Sequence, residues 1–175
     1  MSGFRGAYFY FLAVKILLIR FVKKIYCLTN YYNNTLKTKL PEQLYFYPNP
    51  FLLSSFVNQK IFTFKLSKVN INTFWQDFET KKEEENLNSF FWLNLINRKN
   101  DGVDIQQIIT IWIKDNTKFK EKNLNNLQIS KRILAWILNS DIILNNADKA
   151  FKQIFFNSII MQVNHLKNNL NDEND

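Results

Sequence analysis

The stretch from Ile129 to Leu170 constrains this chain most, because it carries helical periodicity twice with only a short link between. In Ser130-Lys131-Arg132-Ile133-Leu134-Ala135-Trp136-Ile137, residues Ile133, Trp136 and Ile137 recur at the three-and-four spacing of one helix face. Ser130 stands where an N-cap belongs. After Ser140 and Asp141 the apolar run Ile142-Ile143-Leu144 stops at Asn145-Asn146. Asp148 is then placed to cap a longer helix whose stripe is Phe151, Phe155, Ile159, Val163, Leu166 and Leu170. Phe156 and Ile160 lie off that stripe, which predicts a first half enclosed on more than one side. The second half sets Gln162, His165 and Asn169 on one polar face, and a site is expected there.

The rest of the chain extends this pattern upstream. Glu79 to Asn86 reads as the solvated start of a helix whose core contacts come from Leu87, Phe90, Phe91 and Leu95. From Asp104 another helix follows, with Ile105, Ile108, Ile109 and Trp112 on one face, ending before a polar loop from Asp115 to Asn126. Phe62-Thr63-Phe64-Lys65-Leu66-Ser67 alternates at the period of a half-buried strand, which predicts a small extended segment near residues 61–71. Pro41, Pro48 and Pro50 forbid a long helix between Asn30 and Pro50 and favour extended or turning chain. The expected organisation is an N-terminal amphipathic helix and linker over 1–50, then a helical region over 51–175.

Residues 7–28 raise the question of a membrane. Phe11, Val14, Leu18, Phe21, Ile25 and Leu28 form one stripe, and Lys15, Arg20, Lys23 and Lys24 occupy the other half. Those cations argue against a spanning helix, and the short apolar run with no small-x-small site after it argues against a signal peptide. Two readings stay open: the helix packs on the domain, or it lies on an anionic membrane surface as a peripheral contact. In the absence of a recognised targeting segment the default compartment is the cytoplasm.

A net charge of +8 favours anionic partners, although a generally Lys-rich surface gives the same sum. The 17 Phe, 7 Tyr and 4 Trp suit either a large core or a carbohydrate-stacking cleft. No metal site or cofactor is expected, since one His, one Cys and no Gly-rich phosphate loop offer nothing to build one from. Nucleic acid is not expected either, because the lysines do not interleave with aromatics in a recognised motif.

Ser130-Lys131-Arg132-Ile133-Leu134-Ala135-Trp136-Ile137, followed by Ser158-Ile159-Ile160-Met161-Gln162 and His165-Leu166, resembles the N-terminal helical region of the heparinase II/III-like polysaccharide lyases. The family pattern there reads roughly Ser-x-Arg-Ile-x-Asn-Trp-Ile. The resemblance extends upstream through Phe91-Trp92-Leu93-Asn94-Leu95 and Ile111-Trp112-Ile113, and spans Phe51 to Leu170. Ala135 replaces the family's Asn, and Asn97-Arg98 replaces its aromatic continuation. The resemblance implies a mainly α fold of antiparallel helical hairpins forming part of an incomplete (α/α) toroid, with further helices and a β-sandwich beyond Asp175. It implies a parent protein acting on uronate-containing acidic polysaccharide by β-elimination, with this chain as scaffold and one wall of the cleft. The alternative is a non-catalytic helical module binding an anionic glycan or membrane surface.

Residue by residue, the resemblance makes Arg132 a contact that either joins two hairpins or reaches an anionic glycan, beside Gln162, His165 and Asn169 as substrate-binding candidates. Asn164 and His165 are the candidate catalytic pair, although Gln162-Val163-Asn164-His165-Leu166 fits the family segment preceding its Gly-Asn-His-Leu motif better. Trp112 and Trp136 fall on apolar stripes, where core packing competes with sugar stacking. Proton abstraction beside a carboxylate needs a base, an acid and a carboxylate neutraliser held together, so the chain alone is expected to have no catalytic activity. One His cannot fill all three roles, and every tyrosine lies in the N-terminal helix and linker, far in sequence from His165. The oligomeric state stays open.

Overall fold

The computed structural model describes residues 2–40, 71, 74–75, 81–96, 102–117 and 125–169, and among them the chain is mainly α-helical with no strand. The elements are α1 (Ser2–Cys27), α2 (Asn30–Thr35), α3 (Lys81–Asn88), a 3-10 helix (Phe91–Leu95), α4 (Gly102–Asp115), α5 (Asn126–Leu138), α6 (Ser140–Leu144) and α7 (Lys149–Asn169). The extended segment expected near residues 61–71 falls outside the described residues except for Ile71, as do the linker from 41 to 50 and Leu170.

α4 and α5 both pack on α7, and α6 touches α4 and α5. Their apolar faces meet at Trp136, which is wholly buried. Its ring lies 5.1 Å from Phe90, 5.6 Å from Trp112 and 5.1 Å from Phe155, edge-on to the first two. Around this aromatic centre Ile105, Ile108, Ile109, Ile143 and Phe151 fill the core. Each such side chain contributes about 2 kcal/mol by leaving water. Both tryptophans therefore pack as core, as their stripes predict.

The helix ends follow capping chemistry. Asp148 Oδ1 accepts from the Phe151 amide at 2.6 Å and starts α7 as expected. For α5 the cap is Asn125, whose Oδ1 accepts from the amides of Leu127 and Gln128 at 3.0 and 3.3 Å. Ser130 is thus not a cap but an interior residue whose hydroxyl donates to the Asn126 carbonyl one turn back. The helix predicted to run on through Phe90 and Leu95 breaks at Phe90, a buried residue in the left-handed region with φ of 59°, before the 3-10 turn resumes. A bulky side chain adopts that conformation at a cost. Here Trp75, Trp92, Trp112 and Trp136 all pack on the Phe90 ring within 5.7 Å and hold it.

The stripe of α7 departs from expectation in its second half. Phe151, Phe155 and Ile159 are buried, but Val163 is 43% exposed, and Gln162 and His165 are buried in its place. Residues four apart advance by about 40° more than one full turn. Three such steps carry Val163 well round the helix, and the inward face passes to Gln162 and His165.

From Gly6 to Val22 every residue of α1 is exposed. The helix joins the rest of the chain through its last turn, where Lys23 is half-buried and Cys27 buried. It does not pack its apolar stripe on the domain, because α2 turns the chain back at once. α2 also replaces the extended chain favoured from Asn30. Thr29 caps it, accepting from the Tyr32 amide at 3.1 Å, and Tyr32 and Leu36 join Cys27, Ile129 and Ile133 in a second, smaller core.

Candidate functional site

Two polar clusters sit where α5 and α7 meet their neighbours, and together they hold Arg132, Gln162, His165 and Asn169, with Asn164 apart from both. The first is built on Arg132, which lies on the same helix face as Ile129, Ile133 and Trp136 and is only 2% exposed. Its Nε donates to Gln162 Oε1 at 2.6 Å, and Nη1 donates to the Asn88 carbonyl at 3.1 Å. The guanidinium stands 4.3 Å from the centre of the Trp112 ring, and Trp112 Nε1 in turn donates to Asn88 Oδ1 at 2.7 Å. Gln162 is held from its other end, with Nε2 donating to Ser158 Oγ at 3.2 Å. Arg132 thus ties α3, α5 and α7 together, one of the two roles expected of it.

Burial pulls the Arg132 guanidinium down to about 9, so it stays charged at neutral pH. No carboxylate among the described residues pairs with it. Stacking on Trp112 offsets part of the desolvation cost, by up to about 2 kcal/mol. The guanidinium borders a cavity of about 370 Å³ whose lining includes Trp112, Ile154, Met161, Gln162 and Lys37.

The second cluster contains His165. Tyr32 Oη lies 2.9 Å from His165 Nδ1, although the two residues are 133 apart in sequence. Asn169 Nδ2 donates to Tyr32 Oη at 3.2 Å and to the His165 carbonyl at 2.7 Å. Burial first, with smaller influences around it, pushes the Tyr32 phenol up to about 12. The phenol is therefore protonated, and it shares one hydrogen bond with Nδ1 whose direction follows the tautomer of the neutral imidazole. Burial also pushes the neighbouring Cys27 thiol up, so it stays protonated as well.

The structure places the expected site residues differently from an open polar face. Gln162 and His165 are 3% and 2% exposed and point into the molecule. Asn164 Nδ2 donates to the Leu36 carbonyl at 2.8 Å, and so fastens the end of α2 instead of facing a cleft. A saccharide carboxylate has no path to His165 in this arrangement. Tyr32, set apart from His165 by sequence distance, is its direct partner. Of the candidates, Arg132 and Gln162 border the cavity of about 370 Å³.

Burial, with a smaller push from Lys23, pulls His165 from 6.5 down to about 4. The unfolded chain takes up this proton near pH 6.5, whereas the folded chain resists it until near pH 4. The stability that a neutral His165 contributes is complete above pH 7 and is lost as the pH falls. Between pH 7 and pH 5 we expect a loss of about 2 kcal/mol, before most carboxylates titrate. Urea unfolding midpoints at pH 7, 6 and 5 measure it. A slope undiminished in His165→Gln would assign the effect to other groups.

Among the described residues no group of His, Cys, Asp and Glu could hold a metal ion, and no helix is long and apolar enough to cross a membrane. No protein-family model matches this sequence, and no curated protein or solved structure matches it.

Proposed function

We propose that this chain is a non-catalytic helical module that seats on an anionic membrane surface through α1. The observation that carries the reading is the exposure of α1: Tyr10, Phe11, Leu17, Leu18, Phe21 and Val22 are 59–75% exposed. A contiguous apolar surface of this kind marks a place that another apolar phase covers. At about 100° per residue these side chains share one half of the helix with Val14 and Ile25, while Lys15, Arg20, Lys23 and Lys24 share the other. The first half is apolar throughout, and Phe9, Leu12, Ile16 and Ile19 interleave with the cations on the second, which suits a helix set in the headgroup region with its Lys and Arg reaching to the surface. Charge supports a lipid partner as well, since Glu42 is the first acidic residue of the chain. An acidic polysaccharide would answer the cations but leave the apolar half of α1 in water.

Antiparallel hairpins forming part of an incomplete (α/α) toroid are supported by the way α4 and α5 each bury a face on α7. The lyase-scaffold reading draws no support from His165, which is closed to substrate.

Co-sedimentation with vesicles tests the membrane reading. The full chain is expected to bind vesicles of mixed phosphatidylcholine and phosphatidylglycerol, and to be released by salt. Phe21→Ser is expected to weaken binding roughly tenfold, and Arg20→Gln roughly fivefold. Neither side chain supports the core, so the fold should survive both. Equal binding to neutral and anionic vesicles would refute the reading, and so would a dimer held together by α1 that ignores lipid.

A further inference from the structure

The cavity beside Arg132 has an unusual floor. Clefts and cavities of this size are generally lined by apolar groups with a few polar ones. This one borders a buried cation with no carboxylate partner among the described residues. A guanidinium carries five N–H donors. Gln162 and the Asn88 carbonyl take one each, which leaves donors on the Nη side without an acceptor among the described residues. An unpaired buried charge is costly, and the contacts present, two neutral acceptors and an indole face, do not neutralise it. The other walls suit an apolar body: Trp112, Ile154 and Met161 line the space, with Asn157 beside them and Lys37, exposed, at its edge.

We propose that this cavity binds a small monocarboxylate with an apolar body, its carboxylate on the free donors of Arg132 and its body against Trp112, Ile154 and Met161. Geometry and charge select this class. A carboxylate meets a guanidinium fork with two parallel hydrogen bonds, which supplies acceptors to the donors left over from Gln162 and Asn88. Arg132 is the buried cation of the cavity and balances one negative charge there, whereas Lys37 stays in water at the edge and donates to Asn34 Oδ1. A monoanion is therefore matched in the interior, where a phosphate dianion would carry excess charge into an apolar space. A volume of about 370 Å³ accommodates a molecule of phenylbutyrate size. The site is separate from α1, and its occupation depends on neither lipid nor the membrane reading.

Titration calorimetry on the full chain tests this, with 4-phenylbutyrate as the probe and 4-phenylbutanol as its neutral analogue. Phenylbutyrate is expected to bind at least tenfold more tightly than the alcohol, and to shift the Trp112 indole N–H resonance. Arg132→Met should abolish the preference for the acid. Because that change also alters packing, Asn157→Phe serves as a second variant that obstructs the cavity without touching the Arg132 network. It is expected to weaken phenylbutyrate at least tenfold with an unchanged circular dichroism spectrum. Equal binding of acid and alcohol would overturn the proposal. So would undiminished binding to a folded Asn157→Phe variant, or displacement of phenylbutyrate by chloride at comparable concentration.

Discussion

Replacing Trp136 with alanine is expected to destabilise the protein by about 4 kcal/mol. Trp136 is wholly buried, and the rings of Phe90, Trp112 and Phe155 all lie against it, so truncation leaves a cavity bounded by groups that are themselves fixed. A loss of that size is a large fraction of the total stability of an ordinary domain. The melting temperature should fall by roughly 10 °C. Trp136→Phe separates packing from polarity. The indole Nε1 of Trp136 is buried without a hydrogen-bond partner, so no bond is lost when it is removed. The phenylalanine variant should lose only about 1–2 kcal/mol, the cost of a smaller void. Chemical denaturation of the three proteins decides the matter. A Trp136→Ala variant within about 1 kcal/mol of the parent would mean that the aromatic centre collapses around the gap.

The second large effect concerns Gln162. Gln162→Leu leaves the Nε of a buried, charged Arg132 with no acceptor, and we expect a cost of about 3 kcal/mol. Adding Arg132→Met removes the charge together with its need for a partner. The double variant should then recover to within about 1 kcal/mol of the parent, since an apolar pair of similar volume replaces a polar one. The difference between the double variant and the sum of the singles is the measurement of interest, because it isolates the coupling. Simple additivity would show that Arg132 and Gln162 do not act as a pair.

The helices of α4, α5 and α7 were legible because their periodicity is local, and Asp148 was legible because a cap lies within a turn of what it caps. Ser130 misled for the same reason: a serine one turn inside a helix satisfies itself on the Asn126 carbonyl and looks like a start. Reading Gln162, His165 and Asn169 as an open face assumed that polar residues on one side of a helix meet water. That assumption fails when another element supplies partners. One signal was present in the sequence, for Arg132 shares a face with Ile129, Ile133 and Trp136, and an arginine in an apolar stripe needs an acceptor inside the fold. The pairing of Tyr32 with His165 carried no local signal, because it depends on α2 folding back from the end of α1 onto α7. The exposure of α1 was likewise illegible, since a stripe shows that a helix has an apolar side but not what covers it.

The break at Phe90 has a consequence for how the molecule opens and closes. Its ring joins others from α4 and α5, and through Trp136 reaches α7, so residues from Phe90 to Phe155 must be brought together before any of these contacts forms. No single one of those helices can detach without opening the centre that holds the rest. Amide hydrogens in α4, α5 and the first half of α7 should therefore exchange with solvent only through one shared, global opening. Amides from Gly6 to Val22, on a helix that contributes nothing to the aromatic centre, should exchange orders of magnitude sooner while the remainder stays protected.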